Sequence, residues 1–185
     1  EAIPHWENDP KFVATYHACA SYLKPYIEVE RDGETRKKYR VEENWDRAKS
    51  FWIDIDCGQK KFDAGQGYLT QMDGVKAIAA FAKKVGLPRP MIVDSGNGVH
   101  AYWPLTKDIS HAKWVMVAKW LKSCLAHESV LADSSRTADF ASILRPVGSD
   151  NRKGEPKPVK VRSTCEPIEP ATFALALQTF VADND

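Results

Sequence analysis

Phe51-Trp52-Ile53-Asp54-Ile55-Asp56 is an apolar run broken by two aspartates at alternate positions. Side chains two apart on a strand leave by the same face. This spacing therefore puts Asp54 and Asp56 on one side and turns Ile53 and Ile55 towards a core. Two residues of strand span about 7 Å at the Cα level, so both carboxylates can reach one divalent ion or flank a pair. An edge strand that uses charge to discourage aggregation gives the same pattern. The six residues alone leave the two readings equal, and the rest of the chain has to separate them.

C-terminal to this run, Thr70-Gln71-Met72-Asp73 opens a helix with a capping-box-like start. Val75, Ile78, Ala79, Ala82 and Val85 recur at helical spacing until Gly86 and Pro88 stop it. Pro90 to Asp94 and Val99 to Trp103 read as strands. A second long helix starts near Ser110, with Trp114, Val117, Ala118, Leu121 and Leu125 as its apolar stripe. Arg136 to Leu144 reads as a short helical segment and Val159 to Arg162 as an edge strand. A last helix runs from Pro170 to Val181 with proline at its first position. N-terminal to the run, Tyr16 to Tyr22 and Tyr26 to Glu30 read as strands, Arg31 to Glu34 as a turn, and Glu42 to Lys49 as a helix-prone connector. The interleaving predicts an α+β domain, with one α/β-type mixed sheet covered by helices.

The 185 residues suffice for one domain with a core of its own. A net charge of +1 excludes a uniformly basic nucleic-acid coat, though not a local basic groove. No apolar run approaches a membrane span, and residues 1–5 lack the basic-then-apolar order of a signal peptide. A cytoplasmic protein with no membrane partner is expected. The chain has no initiator methionine and reads as a trimmed or partial piece of something longer. Cys19, Cys57, Cys124 and Cys165 stand singly, without zinc-ligand spacing, and read as reduced thiols. Cys57 is expected to be a small buried side chain at a strand end.

Three further groups bear on Asp54 and Asp56. Ser95-Gly96-Asn97-Gly98-Val99-His100 is a glycine-bearing turn between two strands. Its glycines permit close backbone approach to a ligand, its amides can form an anion nest, and His100 starts the next strand. Taken alone it is a hairpin turn with an incidental histidine. Leu131-Ala132-Asp133 ends an apolar run in a carboxylate, which alone is a helix N-cap. Arg145 to Lys153 is basic and continues through Lys157, Lys160 and Arg162 against only Asp150 and Glu155, which alone is a solvated loop. Together these supply what nucleotidyl transfer needs: carboxylates for metal, amides and a histidine for phosphate, and cations for a polyanion. Paired ions about 3.5–4 Å apart support the attacking and leaving oxygens, and oxygen-only ligation suits Mg²⁺ or Mn²⁺.

The order Asp-x-Asp, Ser-Gly-x-Gly-x-His, apolar-Asp, then Leu-Arg-Pro with a downstream Asn-x-Lys resembles the archaeo-eukaryotic primase superfamily, most closely the primase-polymerases of phages, plasmids and mobile elements. The resemblance runs from about Tyr16 to Arg162. It implies an RRM-like catalytic unit packed against an N-terminal α/β module, divided here as 1–50, 51–165 and a C-terminal helix over 166–185. It also implies a DNA primase/polymerase that joins nucleoside triphosphates (NTP or dNTP) on a single-stranded DNA template, using two Mg²⁺ or Mn²⁺ ions. A helicase domain or protein is the partner it suggests.

By position, the resemblance makes Asp54, Asp56 and Asp133 the metal ligands and, with His100, the catalytic residues; Asp139 is the alternative third carboxylate. It assigns the nucleotide to Ser95, Gly96, Gly98, His100, Arg145, Asn151 and Lys153, with Arg152 as a further cation. Pro146 follows Arg145 directly, where relatives commonly read Arg-x-Pro-Gly, and no zinc knuckle is present. Tyr102 and Trp103 are stacking candidates that read more readily as core. Two rivals remain. One is a noncatalytic single-strand-binding module. The other is a metal-dependent nuclease or replication initiator, which wants a His-x-His pair that His5, His17, His100, His111 and His127 never form.

Overall fold

The computed structural model describes residues 14–184; the reading of residues 1–5, and His5, lie outside them. In chain order the elements are β1 (His17–Ala18), β2 (Ile27–Arg31), β3 (Glu34–Lys38), β4 (Arg47–Asp56), α1 (Gln59–Asp63), α2 (Gln71–Val85), β5 (Met91–Asp94) and β6 (Gly98–Ser110). Then follow α3 (His111–His127), α4 (Ser134–Thr137), β7 (Ile143–Leu144), β8 (Asp150–Asn151), β9 (Lys157–Pro158), β10 (Lys160–Ser163) and α5 (Pro170–Asn184).

Four strands form one antiparallel sheet in the order β10-β5-β6-β4. The succession β4-α2-β5-β6-α3-β10 is a βαββαβ unit with the β5–β6 hairpin in its centre. Antiparallel partners share a face, so alternation along β4 and β6 sorts the sheet cleanly. Ile53, Ile55, Val99, Ala101 and Trp103 are buried on the side where α2, α3 and α5 pack. Asp54, Asp56, His100 and Tyr102 share the opposite side.

The two long helices predicted from spacing form where expected. Thr70 and Asp73 complete a reciprocal capping box, and Gly86 ends α2 in the left-handed conformation at φ 77. Trp114, Val117, Ala118, Leu121 and Leu125 are buried along α3. Phe51 stacks between Trp114 and Phe173 at centroid distances of 6.0 and 4.6 Å. Buried indoles need a hydrogen-bond partner. Trp103 donates to the Pro88 carbonyl at 2.9 Å, so it is core as expected, and Trp114 donates to the Ser50 carbonyl at 3.1 Å.

Three local expectations are corrected. The Tyr16–Tyr22 strand shrinks to the two residues of β1, paired with β7, plus a single bridge from Tyr22 to Trp45. The Glu42–Lys49 connector is helical only as a 3₁₀ turn over Glu42–Asn44, because β4 already begins at Arg47. The Arg136–Leu144 helix stops at Thr137. Asp139 there accepts from the Ala141 amide at 2.9 Å and the Ser142 hydroxyl at 3.2 Å, a turn that competes with helix. No helix of the described residues is long and apolar enough to cross a membrane.

Candidate active site

The site is built around the end of β4. Asp54 lies opposite His100 and Asp56 opposite Gly98 in the β4–β6 register. The next segment is bound to the outer edge of β4: the Asp133 amide donates to the Asp54 carbonyl at 2.7 Å. Trp52 fixes the same segment by donating its indole N–H to the Arg136 carbonyl at 3.1 Å. Asp133, rather than Asp139, is therefore the acid held against β4. Its own Oδ1 is turned into the cap of α4, accepting from the Ser135 amide at 2.8 Å and hydroxyl at 2.6 Å.

Charge on this face is unbalanced. Burial, followed by the carboxylates of Asp56 and Asp133, pushes Asp54 up to about 7, while Arg136 and Lys153 oppose the rise. Asp56 is paired instead, with Lys61 Nζ 2.7 Å from its Oδ2. Lys61 is set there by a loop that folds back on the strand end: the Tyr68 amide donates to the Asp56 carbonyl at 3.0 Å and the Gly58 amide to the Tyr68 carbonyl at 2.9 Å. A side chain on Gly67 would collide with the Asp56 carbonyl. Sequence reasoning passed over Lys61, although a lysine five residues past Asp-x-Asp, between two glycine-bearing turns, is a usable signal.

His100 is almost wholly buried, and burial, then Arg145 and His17, push it down to about 4. The ring is neutral at pH 7. Its Nε2 stands 3.7 Å from Asp54 Oδ1, beyond hydrogen-bond range, and its Nδ1 is 3.4 Å from the Tyr102 hydroxyl. Arg145 follows β7, and the β1–β7 ladder buries it to 6% exposure. Its guanidinium lies 4.6 Å from the Tyr16 ring centroid, and Nη1 has no hydrogen-bond partner. A buried cation with an unmet donor is costly unless something anionic meets it.

The Ser95–Gly98 turn is stitched to the 151–153 loop. Asn151 Nδ2 donates to the Ser95 carbonyl at 2.8 Å, and Asn151 Oδ1 accepts from the Lys153 amide at 3.1 Å. Asn151 thus acts on the site through the turn it holds, and Lys153 is brought within electrostatic reach of Asp54. Gly96 is required on two counts: its φ is 89, and a Cβ there would stand 2.6 Å from Asn151 Cβ. A Cβ on Gly98 would strike the Ile55 carbonyl. Gln71, at the start of α2, holds the turn from behind by donating to the Gly98 carbonyl at 2.8 Å, a contact the sequence did not flag. Arg162, grouped with the basic loop, pairs instead with Asp94 at 2.7 Å, away from the carboxylates.

Asp54, Asp56 and His100 thus share one face of the sheet, with Asp133 held at the edge of β4, Lys153 in electrostatic reach of Asp54 and Arg145 in reach of His100. In kind, the donors fit a hard divalent cation: carboxylate oxygens only, with negative charge in excess. Among the described residues no three His, Cys, Asp or Glu side chains are already closed around one point, since Asp133 faces its cap and Asp56 faces Lys61.

No protein-family model matches this sequence, and no curated protein does. Solved structures do match. The archaeo-eukaryotic primase domain of the cyanophage S-2L primase-polymerase aligns with a TM-score of 0.54 at 14% identity, covering 76% of this chain and 66% of that one. Primase RepB′ aligns at 0.47 and 13% identity, over 81% of this chain and 46% of that one. The polymerase domain of Mycobacterium tuberculosis ligase D, solved in complex with DNA, aligns at 0.44 and 14% identity, over 91% and 61%. The chain spans less than two thirds of the length of each. Its βαββαβ sheet, with helices on one face and the Asp-x-Asp strand at its edge, has the fold of the archaeo-eukaryotic primases.

Proposed function

We propose that this chain is the catalytic part of a primase-polymerase, a nucleotidyltransferase that joins NTPs or dNTPs on a single-stranded DNA template. One juxtaposition carries the reading. Carboxylates in surplus and a buried guanidinium with one unmet donor, Nη1 of Arg145, both neighbour a neutral histidine, a charge pattern complementary to a metal-bound triphosphate. Asp54, Asp56 and Asp133 would hold two Mg²⁺ or Mn²⁺ ions, with Lys61 leaving Asp56 and the Asp133 side chain leaving its cap. Bound there, such ions lower the pKa of the attacking 3′-hydroxyl and support the leaving pyrophosphate. Arg145 Nη1 donates to a phosphate oxygen and neutralises its charge. His100, uncharged, orients the triphosphate through Nε2 while Tyr102 fixes the ring. Ser95, Gly96 and Gly98 shape the turn against the phosphates, and Lys153 adds a mobile cation. Replication in a prokaryotic cell, phage or mobile element is the setting, with a helicase domain or protein as partner.

The test is incorporation of labelled NTPs and dNTPs on a single-stranded template with Mg²⁺ or Mn²⁺. The Asp54→Ala/Asp56→Ala double variant should be inactive with an unchanged circular dichroism spectrum; wild-type incorporation by that variant overturns the assignment. The second reading is a noncatalytic single-strand-binding module. That module would bind oligonucleotide in EDTA and incorporate nothing.

A further inference from the structure

The β2–β3 hairpin stands apart from the body. It forms a two-stranded sheet of its own, and only Ile27 and Val29 among its strand residues are partly covered. Asp32 and Gly33 turn it with φ of 56 and 79, the paired left-handed geometry of a tight hairpin. A hairpin with nothing behind it is marginally stable at best, so this one contributes surface rather than core.

That surface is sorted by charge. Register partners share a face, so Ile27/Lys38, Val29/Arg36 and Arg31/Glu34 lie on one side and Glu28/Lys37 and Glu30/Thr35 on the other. The first side carries three cations and one acid around two aliphatic residues. The second carries two acids and one cation. There Glu30 accepts from the Thr35 hydroxyl at 2.6 Å, and Lys37 Nζ stands 4.2 Å from the Tyr26 ring centroid. On the basic side Arg36 meets Glu34 at 3.0 Å with both side chains more than half exposed. So exposed a pair is weak and exchanges readily for another anion.

The base of the hairpin is rigid and sits at the edge of the site. Buried Asn44 ties its two ends together, accepting from the Lys24 amide at 3.0 Å and donating to the Lys24 and Tyr39 carbonyls at 2.8 and 2.9 Å. Arg40 Nε donates to the Ala141 carbonyl at 3.1 Å. Beside Ala141, Asp139 lies 3.9 Å from Arg136, which in turn reaches Asp133 at 4.0 Å.

We propose that this hairpin is an arm that lays its Arg31/Arg36/Lys38 face along the phosphodiester backbone of the single-stranded template. The choice of ligand rests on the function proposed above; the charge sorting and the isolation of the hairpin do not. Arg36 and Lys38, about 7 Å apart along the strand, would each take one phosphate.

The test is fluorescence anisotropy of a labelled oligothymidylate with the full chain, in EDTA, over a range of salt. Arg36→Glu/Lys38→Glu should weaken binding about tenfold or more, and the neutral pair Arg36→Gln/Lys38→Gln less. The slope of log K against log salt should become shallower by about 1.4, roughly 0.7 for each lost single-strand phosphate contact. Lys37→Glu, on the other face, should stay within about twofold, and the melting temperature of all three should hold because the face covers no core. Unchanged affinity and slope in both double variants, or equal loss in Lys37→Glu, overturns the arm. Incorporation by wild type without any hairpin effect removes the arm alone. A hairpin effect without incorporation removes the catalytic reading alone.

Discussion

Asp54 and His100 face each other across the β4–β6 ladder with 3.7 Å between Oδ1 and Nε2, and both are driven towards their neutral forms. Distance alone would make this an ion pair. Burial opposes charge on both groups, and the neighbours reinforce it: Asp56 and Asp133 act on Asp54, while Arg145 and His17 act on His100. Unbalanced negative charge therefore acts on Asp54 and unbalanced positive charge on His100. Stability there is given up for a surface that a bound, charged ligand would balance.

The two groups leave opposite marks on stability. Asp54 has a folded pKa of about 7, above its unfolded value. Its contribution is fully present below about pH 3.9 and is lost as pH rises through 7. His100, at about 4, contributes above pH 6.5 and loses that contribution as pH falls towards 4. Asp54→Asn removes only the first. In EDTA the variant should be more stable than wild type at pH 8 by about 2–4 kcal/mol, with the gap shrinking as pH falls to 5. Urea unfolding at the two pH values checks this; a pH-independent loss of stability would contradict it. Mn²⁺ should stabilise wild type and not the variant.

Much of this was legible in the sequence where local pattern and tertiary demand agree. Alternation at Phe51–Asp56 gave the strand and its faces, and the Thr70/Asp73 cap and Gly86 bounded α2. Strand β6 runs on past Trp103 to Ser110 because β4 goes on pairing with it as far as Arg47, while Ile168 bridges Leu105 on the side that β5 has left. The strand read from sequence ends at Trp103 because Pro104 and the charged Lys107 and Asp108 break the apolar pattern there. The unmet Nη1 of Arg145 could not be seen, because its burial comes from a two-residue ladder between β1 and β7, far apart in sequence. Arg162 looked like one more basic-loop cation until its partner Asp94, 68 residues away, was in view.

Gly96→Ala should be costly in a way that Gly65→Ala is not. Both positions have positive φ, but only at Gly96 does a Cβ meet a neighbour, at 2.6 Å from Asn151 Cβ. Left-handed backbone alone costs about 1–3 kcal/mol; Gly96→Ala should exceed Gly65→Ala by about 1–2 kcal/mol in urea unfolding. It should also weaken triphosphate binding in calorimetry, since the Asn151–Ser95 hydrogen bond must shift.

Cys19, Cys57 and Cys124 should be slow to alkylate. Burial, then the Asp54 charge, push Cys19 up to about 12. Burial, then Asp56, push Cys57 up to about 11, and burial takes Cys124 to about 11. Only the thiolate reacts, so these three in native protein at pH 8 should resist iodoacetamide on a timescale that labels every cysteine of the urea-unfolded chain. Rapid labelling of Cys19 in native protein would contradict its position beside Asp54.

Arg162→Met should act on folding rather than on phosphate. The Arg162 fork holds Asp94 through two hydrogen bonds of 2.7 and 3.0 Å, and only 7% of the Asp94 side chain is exposed. Removing the arginine leaves a buried carboxylate alone on β5, one residue before Ser95. Breaking a buried pair costs about 3–5 kcal/mol, and the partial exposure of Arg162 reduces this to about 2–3 kcal/mol. Lys160→Met, two residues before Arg162 and exposed, should stay within about 0.5 kcal/mol. Arg162→Lys should fall between, because an ammonium cannot span both oxygens. If Arg162→Met instead left the unfolding midpoint unchanged and lowered the salt dependence of oligonucleotide binding, Arg162 would belong with the phosphate cations after all.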